Sequence, residues 1–290
     1  MYKKILGFAV ISIIGFAACH NVFNKDKSTV ADALVTDHIS KNSVDSSITV
    51  APAPPQEPKD SNLKYVYLTF DDGPQLGTLN CYDVCKKAGV KATFFLVGEH
   101  AENRWGKSIL DTMRKDMRHF LFANHSYTHA NNRYESFYKH YQTAFEDFIK
   151  TQDSLQFQVA IARFPGNPAW VMDSKFRSSK LTNKLAKMMD SVGYNVMGWD
   201  VEWRFNKKSE PVQTAEQMAK EVEAAFASKS SFVKNHVVLL THDRLFREPN
   251  YKDSLTKMIT ILQSKKYVFE TADQYPILKK ADKNLLAVRK

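Results

Sequence analysis

Two adjacent carboxylates, Asp71 and Asp72, close the apolar run in "YLTFDDGP" just before a Gly-Pro pair turns the chain. A turn needs one Asp at most, and a second adds like-charge repulsion that, in a pocket, calls for a cation or a shared proton. Further on, "NHSYTH" sets His125 and His129 four positions apart, so one helical turn or tight loop presents both imidazoles to a single ion. Two imidazoles and one carboxylate make an open zinc-type donor set that leaves room for water. A His pair at this spacing is weak evidence alone, because surface helices carry such pairs. Three more clusters follow apolar runs: Arg163 in "RFPG", Asp200 and Glu202 in "WDVEW", and His242 in "LLTHD".

These clusters need a scaffold that gathers them. Near-continuous apolar runs at 65–70, 92–97, 119–124, 158–164, 194–199, 236–241 and 267–271 read as parallel strands buried on both faces. Amphipathic patterns separate them. Tyr134, Phe137, Tyr138, Tyr141, Phe145, Phe148 and Ile149 recur at helical spacing and are expected in the core, and Thr214 with Gln217 forms a capping box ahead of "AEQMAKEVEAAF". Strands alternating with helices indicate one α/β domain, most simply a barrel of parallel strands. The clusters then share the rim at the carboxyl ends of the strands, where such barrels build active sites.

The ends of the chain read differently. "MYKKILGFAVISIIGFAAC" has two lysines, an apolar segment from Ile5 to Ala18 and small residues before Cys19, the pattern of an export signal over 1–18. It is too short to span a bilayer comfortably. "FAAC" resembles the lipobox of bacterial lipoproteins, which implies that Cys19 becomes a diacylated N-terminus and anchors the protein to a membrane. Residues 19–62 are expected to be a flexible linker. Asn24 to Lys64 has no aromatic residue, "APAPPQEPKDS" contributes four prolines, and about 40 such residues reach roughly 35 Å. The folded domain is expected over 63–278, with a basic C-terminal tail over 279–290.

Of 290 residues, 43% are hydrophobic and 25% charged, an ordinary globular composition, and the formal charge is +10. The lysines are scattered and no arginine-aromatic block occurs, so nucleic acid is not an expected partner. Cys81 and Cys85 sit four apart in a helical pattern, a spacing that suits packing better than a disulfide or a zinc half-site.

"TFDDGP", "HSYTH", "RFPG" and "LLTHD" resemble, in order and spacing, the motifs of the polysaccharide deacetylase family (NodB homology domain, carbohydrate esterase family four) over about residues 65 to 275. The resemblance implies a distorted (β/α) barrel of about seven parallel strands. It implies Asp71 as general base, Asp72 with His125 and His129 as metal ligands, Arg163 as the residue that orients the base, and His242 as general acid. The implied cofactor is zinc, with another divalent metal such as cobalt an alternative. The implied substrate is an acetylated polysaccharide, most simply the N-acetylglucosamine units of peptidoglycan or a related envelope glycan. Pro165 and Gly166 would line the substrate site, with the Gly166 N–H facing the oxyanion.

The chain departs from the family twice. Many members carry a tyrosine where Gly166 stands, so one pocket wall is missing. The usual fourth motif is compressed to "WDVEW", in which Asp200 or Glu202 is expected to tether Arg163 or tune His242, and Trp199 or Trp203 to floor the sugar site. Two other readings stay open: an O-acetyl esterase on xylan-type glycan, and a non-catalytic glycan-binding lipoprotein. The expected location is the cell envelope, outside the cytoplasm.

Overall fold

A computed structural model describes Asp60 and residues 62–279 except Ser174. The signal segment, Cys19, nearly all of the linker and the C-terminal tail beyond Lys279 lie outside the described residues.

The first element among the described residues is β1 (Tyr65–Gly73), a strand in which every residue is buried. There follow α1 (Thr78–Ala88), β2 (Ala92–Leu96), α2 (Gly98–Glu102), α3 (Arg104–Met113) and β3 (Phe120–Asn124). The middle of the chain forms α4 (Tyr134–Lys139), α5 (Tyr141–Leu155), β4 (Ile161–Ala162), β5 (Trp170–Val171), β6 (Phe176–Arg177), α6 (Asn183–Ser191), β7 (Asn195–Val196) and β8 (Val201–Glu202). Last come α7 (Ala215–Ser228), β9 (His236–His242), α8 (Pro249–Ser264) and β10 (Val268–Phe269).

The strands form one sheet in the order β6-β5-β7-β4-β3-β2-β1-β9-β8, with β10 added beside β1. All pairings are parallel except those of β5 with β6 and with β7. Each of the seven apolar runs contains a strand of this sheet. Those at β4, β7 and β10 shrink to two residues, and the short β5, β6 and β8 were not legible as strands. The sheet is therefore a curled, open and distorted barrel with β6 and β8 at the ends of its path.

Alternation along the strands sorts the side chains into two cores. Val66, Leu68, Phe70, Phe94, Phe120, Val237 and Leu239 face outward under α1, α7 and α8. Tyr65, Tyr67, Phe95, Leu121, Ala123, Ile161 and Val238 face inward. Full burial of a Leu or Phe contributes about 1.5–3 kcal/mol, so both layers hold the sheet's curvature. The aromatic pattern after residue 134 is two helices rather than one, broken at His140 (φ −95°, ψ 59°), and Tyr138 and Phe148 still pack on Phe164 in a third core. The Thr214–Gln217 capping box forms with both of its hydrogen bonds. Cys81 and Cys85 are free thiols buried in α1, and burial pushes both pKa values up.

Candidate metal centre and active-site rim

Consecutive residues of a regular strand point to opposite faces, so Asp71 and Asp72 should part company. A β-bulge reunites them. β1 pairs with β2 in register through Asp71–Phe95 and resumes at Gly73–Leu96, which leaves Asp72 as the extra residue. Its φ is +74°, a left-handed conformation that Asp tolerates better than most residues. The bulge re-aims the second carboxylate. Both now face His125, whose Nε2 lies 3.6 Å from Asp71 Oδ2 and 3.4 Å from Asp72 Oδ1.

The other side chains arrive as continuations of inward rows. Asp71 extends the row of Tyr65, Tyr67 and Thr69; His125 follows Leu121 and Ala123; Arg163 follows Ile161; His242 follows His236 and Val238. The site is thus the top layer of the barrel interior. His129 comes instead from the loop after β3, through a run of left-handed residues from His129 to Asn132 with φ between 47° and 57°. For an L-residue this conformation costs roughly 1–2 kcal/mol, and strain of this kind gathers at functional sites. The loop is held from α5, where Asp147 accepts from the Tyr127 and Thr128 N–H groups and from the Thr128 hydroxyl.

His129 Nε2 reaches Asp72 Oδ1 at 3.0 Å. One ligand atom each from Asp72, His125 and His129 lies within 4.8 Å of the others. Asp72 Oδ1 is buried and accepts no well-formed hydrogen bond. His125 Nδ1 lies 3.0 Å from the Arg163 carbonyl oxygen, to which it donates, and this tautomer leaves the Nε2 lone pair facing the carboxylates. A buried carboxylate oxygen without a donor, flanked by two imidazole nitrogens, fits a divalent cation. Burial opposes ionisation of Asp72, but His125, His129 and His242 outweigh it and hold the carboxyl well below the usual range. Burial also pulls His125 down, and the charges of Asp71 and Asp72 reverse that, leaving it raised. Around the triad, His100 Nδ1 donates to the Asp72 main-chain oxygen at 2.8 Å, and Arg244 Nη2 donates to Asp72 Oδ2 at 2.5 Å.

Arg163 is fully buried and uses its whole fork. Nη1 donates to Asp71 Oδ1 and to Thr69 Oγ1, each at 2.7 Å. Nε donates to the Met197 carbonyl oxygen and Nη2 to that of Gly198, each at 3.0 Å. These two carbonyls lie in the segment that joins β7 to β8, so the guanidinium ties the base to that connection. Burial draws the Arg163 pKa down and Asp71 opposes it. His242 is pulled below its ordinary value, chiefly by burial, with Asp72 and Asp71 opposing. Its Nε2 is 4.0 Å from Asp72 Oδ2, its Nδ1 has no hydrogen-bond partner, and its ring meets Phe205 edge-on.

The expectations for "WDVEW" need correction. Asp200 accepts from the backbone N–H groups of Phe232 and Val238, and burial pushes its pKa up to about 6. It braces a loop and the start of β9 and does not bond Arg163. Glu202 is half-buried and raised by burial and by the charge of Asp71, yet Arg163 donates to main-chain carbonyls instead. Trp203 floors no sugar site: it is fully buried, donates its indole N–H to the Gln213 carbonyl oxygen and packs edge-on to Phe246. Trp199 stays half-buried near the Arg163 guanidinium. Pro165 is buried, and its carbonyl oxygen accepts from the Tyr138 hydroxyl at 2.5 Å. Gly166 is exposed and left-handed, with φ +61°.

Arg244, Asp147 and His100 escaped the reading of the sequence, and Tyr134, expected in the core, is only half-buried against it. Arg244, two residues past His242, was the one with a local signal; the others join the site through contacts made by folding.

Residues 59–161 match the family model described as Polysaccharide deacetylase. The chain is 28% identical over 213 residues to YheN of Bacillus subtilis, covering 71% of this chain and 66% of that protein's length. It is 28% identical over 213 residues to a peptidoglycan-N-acetylglucosamine deacetylase of Bacillus cereus, covering 71% of this chain and 68% of the other. Among solved structures, a Streptococcus mutans CE4 esterase superposes with a TM-score of 0.56 at 24% identity, over 73% of this chain and 87% of the esterase.

Proposed function

We infer, from the match of residues 59–161 to the polysaccharide deacetylase family model, that the chain is a metal-dependent hydrolase removing N-acetyl groups from N-acetylglucosamine units of peptidoglycan or a related envelope glycan. The observation that carries this reading is the burial of Asp71, Asp72, His125 and Arg163 on one rim with His242 beside them. Asp72, His125 and His129 would hold the ion, zinc or another divalent metal such as cobalt. When bound, such an ion polarises an acetyl carbonyl and makes water acidic near neutral pH.

The remaining work falls to the chain. Asp71 commits Oδ1 to Arg163, which leaves Oδ2, on the His125 side, to take a proton from the attacking water. Arg163 keeps that carboxylate in place. His242 delivers a proton to the departing amine, which is too basic to leave as an anion. This requirement favours amide over ester hydrolysis, because an alkoxide or phenolate depends less on an acid. The Gly166 N–H offers a donor to the developing oxyanion. Placement in the envelope rests on the sequence of residues 1–19.

Acetate release from chitooligosaccharides, peptidoglycan and acetylated xylan, measured side by side before and after chelation, tests the reading. Release from the two N-acetylated substrates that ends on chelation is expected. Release from xylan alone would reassign the chain as an O-acetyl esterase, and release from none would leave a binding protein.

A further inference from the structure

Tyr134 opens α4, and the hydroxyl end of its ring lies against Gly166. A Cβ built on that glycine would sit 3.4 Å from Tyr134 Cζ and 3.5 Å from both Cε atoms. Its φ of +61° already disfavours a side chain, so Gly166 is bare backbone beneath the phenol. The same ring stands edge-on to the imidazole of His129, with centroids 5.8 Å apart at 89°. Tyr134 therefore bridges the triad and the loop that carries the Gly166 N–H. The left-handed run from His129 to Asn132 turns the chain back and returns α4 to the rim. The residue is half-buried, so part of it is open to solvent. Its hydroxyl makes a 3.4 Å contact to Asn132 Oδ1, long enough for a better acceptor to displace it.

We propose that Tyr134 is a substrate-contacting specificity residue: its ring, over Gly166 and beside His129, forms one wall of the pocket, and its hydroxyl donates to an oxygen of the bound N-acetylhexosamine unit. The sequence leaves Gly166 without a side chain to line the pocket, and an aromatic residue from a different element fills that space. The inference rests on the deacetylase reading.

Steady-state kinetics of the metal-loaded protein on chitotetraose and on p-nitrophenyl acetate test it, because the aryl ester has no sugar to contact the wall. For Tyr134→Ala the ratio of kcat/KM on chitotetraose to that on the ester is expected to fall roughly ten-fold, with the loss on the glycan entering through KM. Tyr134→Phe keeps the ring and the fold and should show a smaller loss in the same direction. An unchanged ratio in both variants, or a fall in both substrates that tracks lost metal, overturns the proposal and leaves Tyr134 as a prop for His129. A parent protein that is active on chitotetraose while both variants keep its ratio sinks the wall alone. A parent that neither binds nor cleaves chitotetraose sinks the deacetylase reading and the wall with it.

Discussion

Asp71 and His242 are register partners on adjacent parallel strands, β1 and β9. Partners at one level of a parallel pair project to the same face, so a carboxylate and an imidazole stand side by side at the top of the barrel interior. Each belongs to its own strand, and the geometry leaves them free to handle different protons. Asp71 is fixed by Arg163 from below, whereas His242 has a buried Nδ1 without a partner and rests against Phe205.

That separation predicts a split by substrate. An amide's amine needs a proton in order to leave, whereas an activated aryl acetate expels a weakly basic phenolate. His242→Ala should lose on the order of 10²-fold to 10⁴-fold on an N-acetylated glycan and much less on the aryl ester. Asp71→Asn should damage both, since both need the activated water. Steady-state rates of metal-loaded variants decide it, and equal losses for His242→Ala on the two substrates would refute a leaving-group acid.

Much of this was legible beforehand, for a physical reason. Buried parallel strands must be apolar on both faces, so the runs at 65–70, 119–124, 158–164 and 236–241 announce themselves, and the polar residue at the end of each marks the rim. Asp71, Asp72, His125, Arg163 and His242 were found that way. "WDVEW" misled because one acidic residue can bond backbone N–H groups as readily as a guanidinium, and sequence does not say which: Asp200 took Phe232 and Val238. Trp203 was misplaced because a buried indole whose N–H is satisfied looks like any other Trp in a string of letters. The bulge at Asp72 and the contact between Tyr134 and Gly166 depend on positive φ values and tertiary packing, which no local pattern encodes.

Arg163 should matter to stability as well as to rate. It serves four acceptors, two of them main-chain carbonyls in the segment that joins β7 to β8, and it is the buried partner of Asp71. Removing one member of such a pair leaves an uncompensated charge, so Arg163→Ala should cost about 3–5 kcal/mol. Arg163→Lys keeps the charge without the planar fork and should fall between the alanine variant and the parent. Urea unfolding followed by circular dichroism measures both. An alanine variant within about 1 kcal/mol of the parent would mean that this connection does not need the guanidinium.

Metal dependence has its own test. Chelation should abolish acetate release and zinc should restore it. Cobalt should also restore it, because two imidazoles and a carboxylate do not select strongly between these ions. His125→Ala and His129→Ala each remove one of three ligands and should weaken zinc binding by more than about 100-fold, a larger effect than loss of a supporting residue has. Competition with a chromophoric chelator reads the affinity without relying on catalysis. Full acetate release by rigorously metal-free protein would end the metal mechanism.

Asp243 offers a pH signature. It is fully buried one residue past His242, where it accepts from the Thr78 hydroxyl through Oδ2 while Oδ1 has no partner. Gly73 packs so closely that a Cβ there would lie 2.7 Å from Oδ2. Burial pushes the Asp243 carboxyl up to about 8 from 3.8, with Thr78 opposing and Asp72 adding to the rise. Between those two values the folded, metal-free chain keeps a proton that the unfolded chain releases. Stability from this group is therefore fully present below 3.8, declines as pH rises through the window and is gone above about 8. The slope for one proton is at most ~1.4 kcal/mol per pH unit. Asp243→Asn retains an oxygen for Thr78 and cannot ionise. Relative to that variant, the chelated parent should lose stability steadily between about pH 5 and pH 8, read from urea midpoints. Parallel curves for the two proteins would show that Asp243 is already ionised in the folded state across that range.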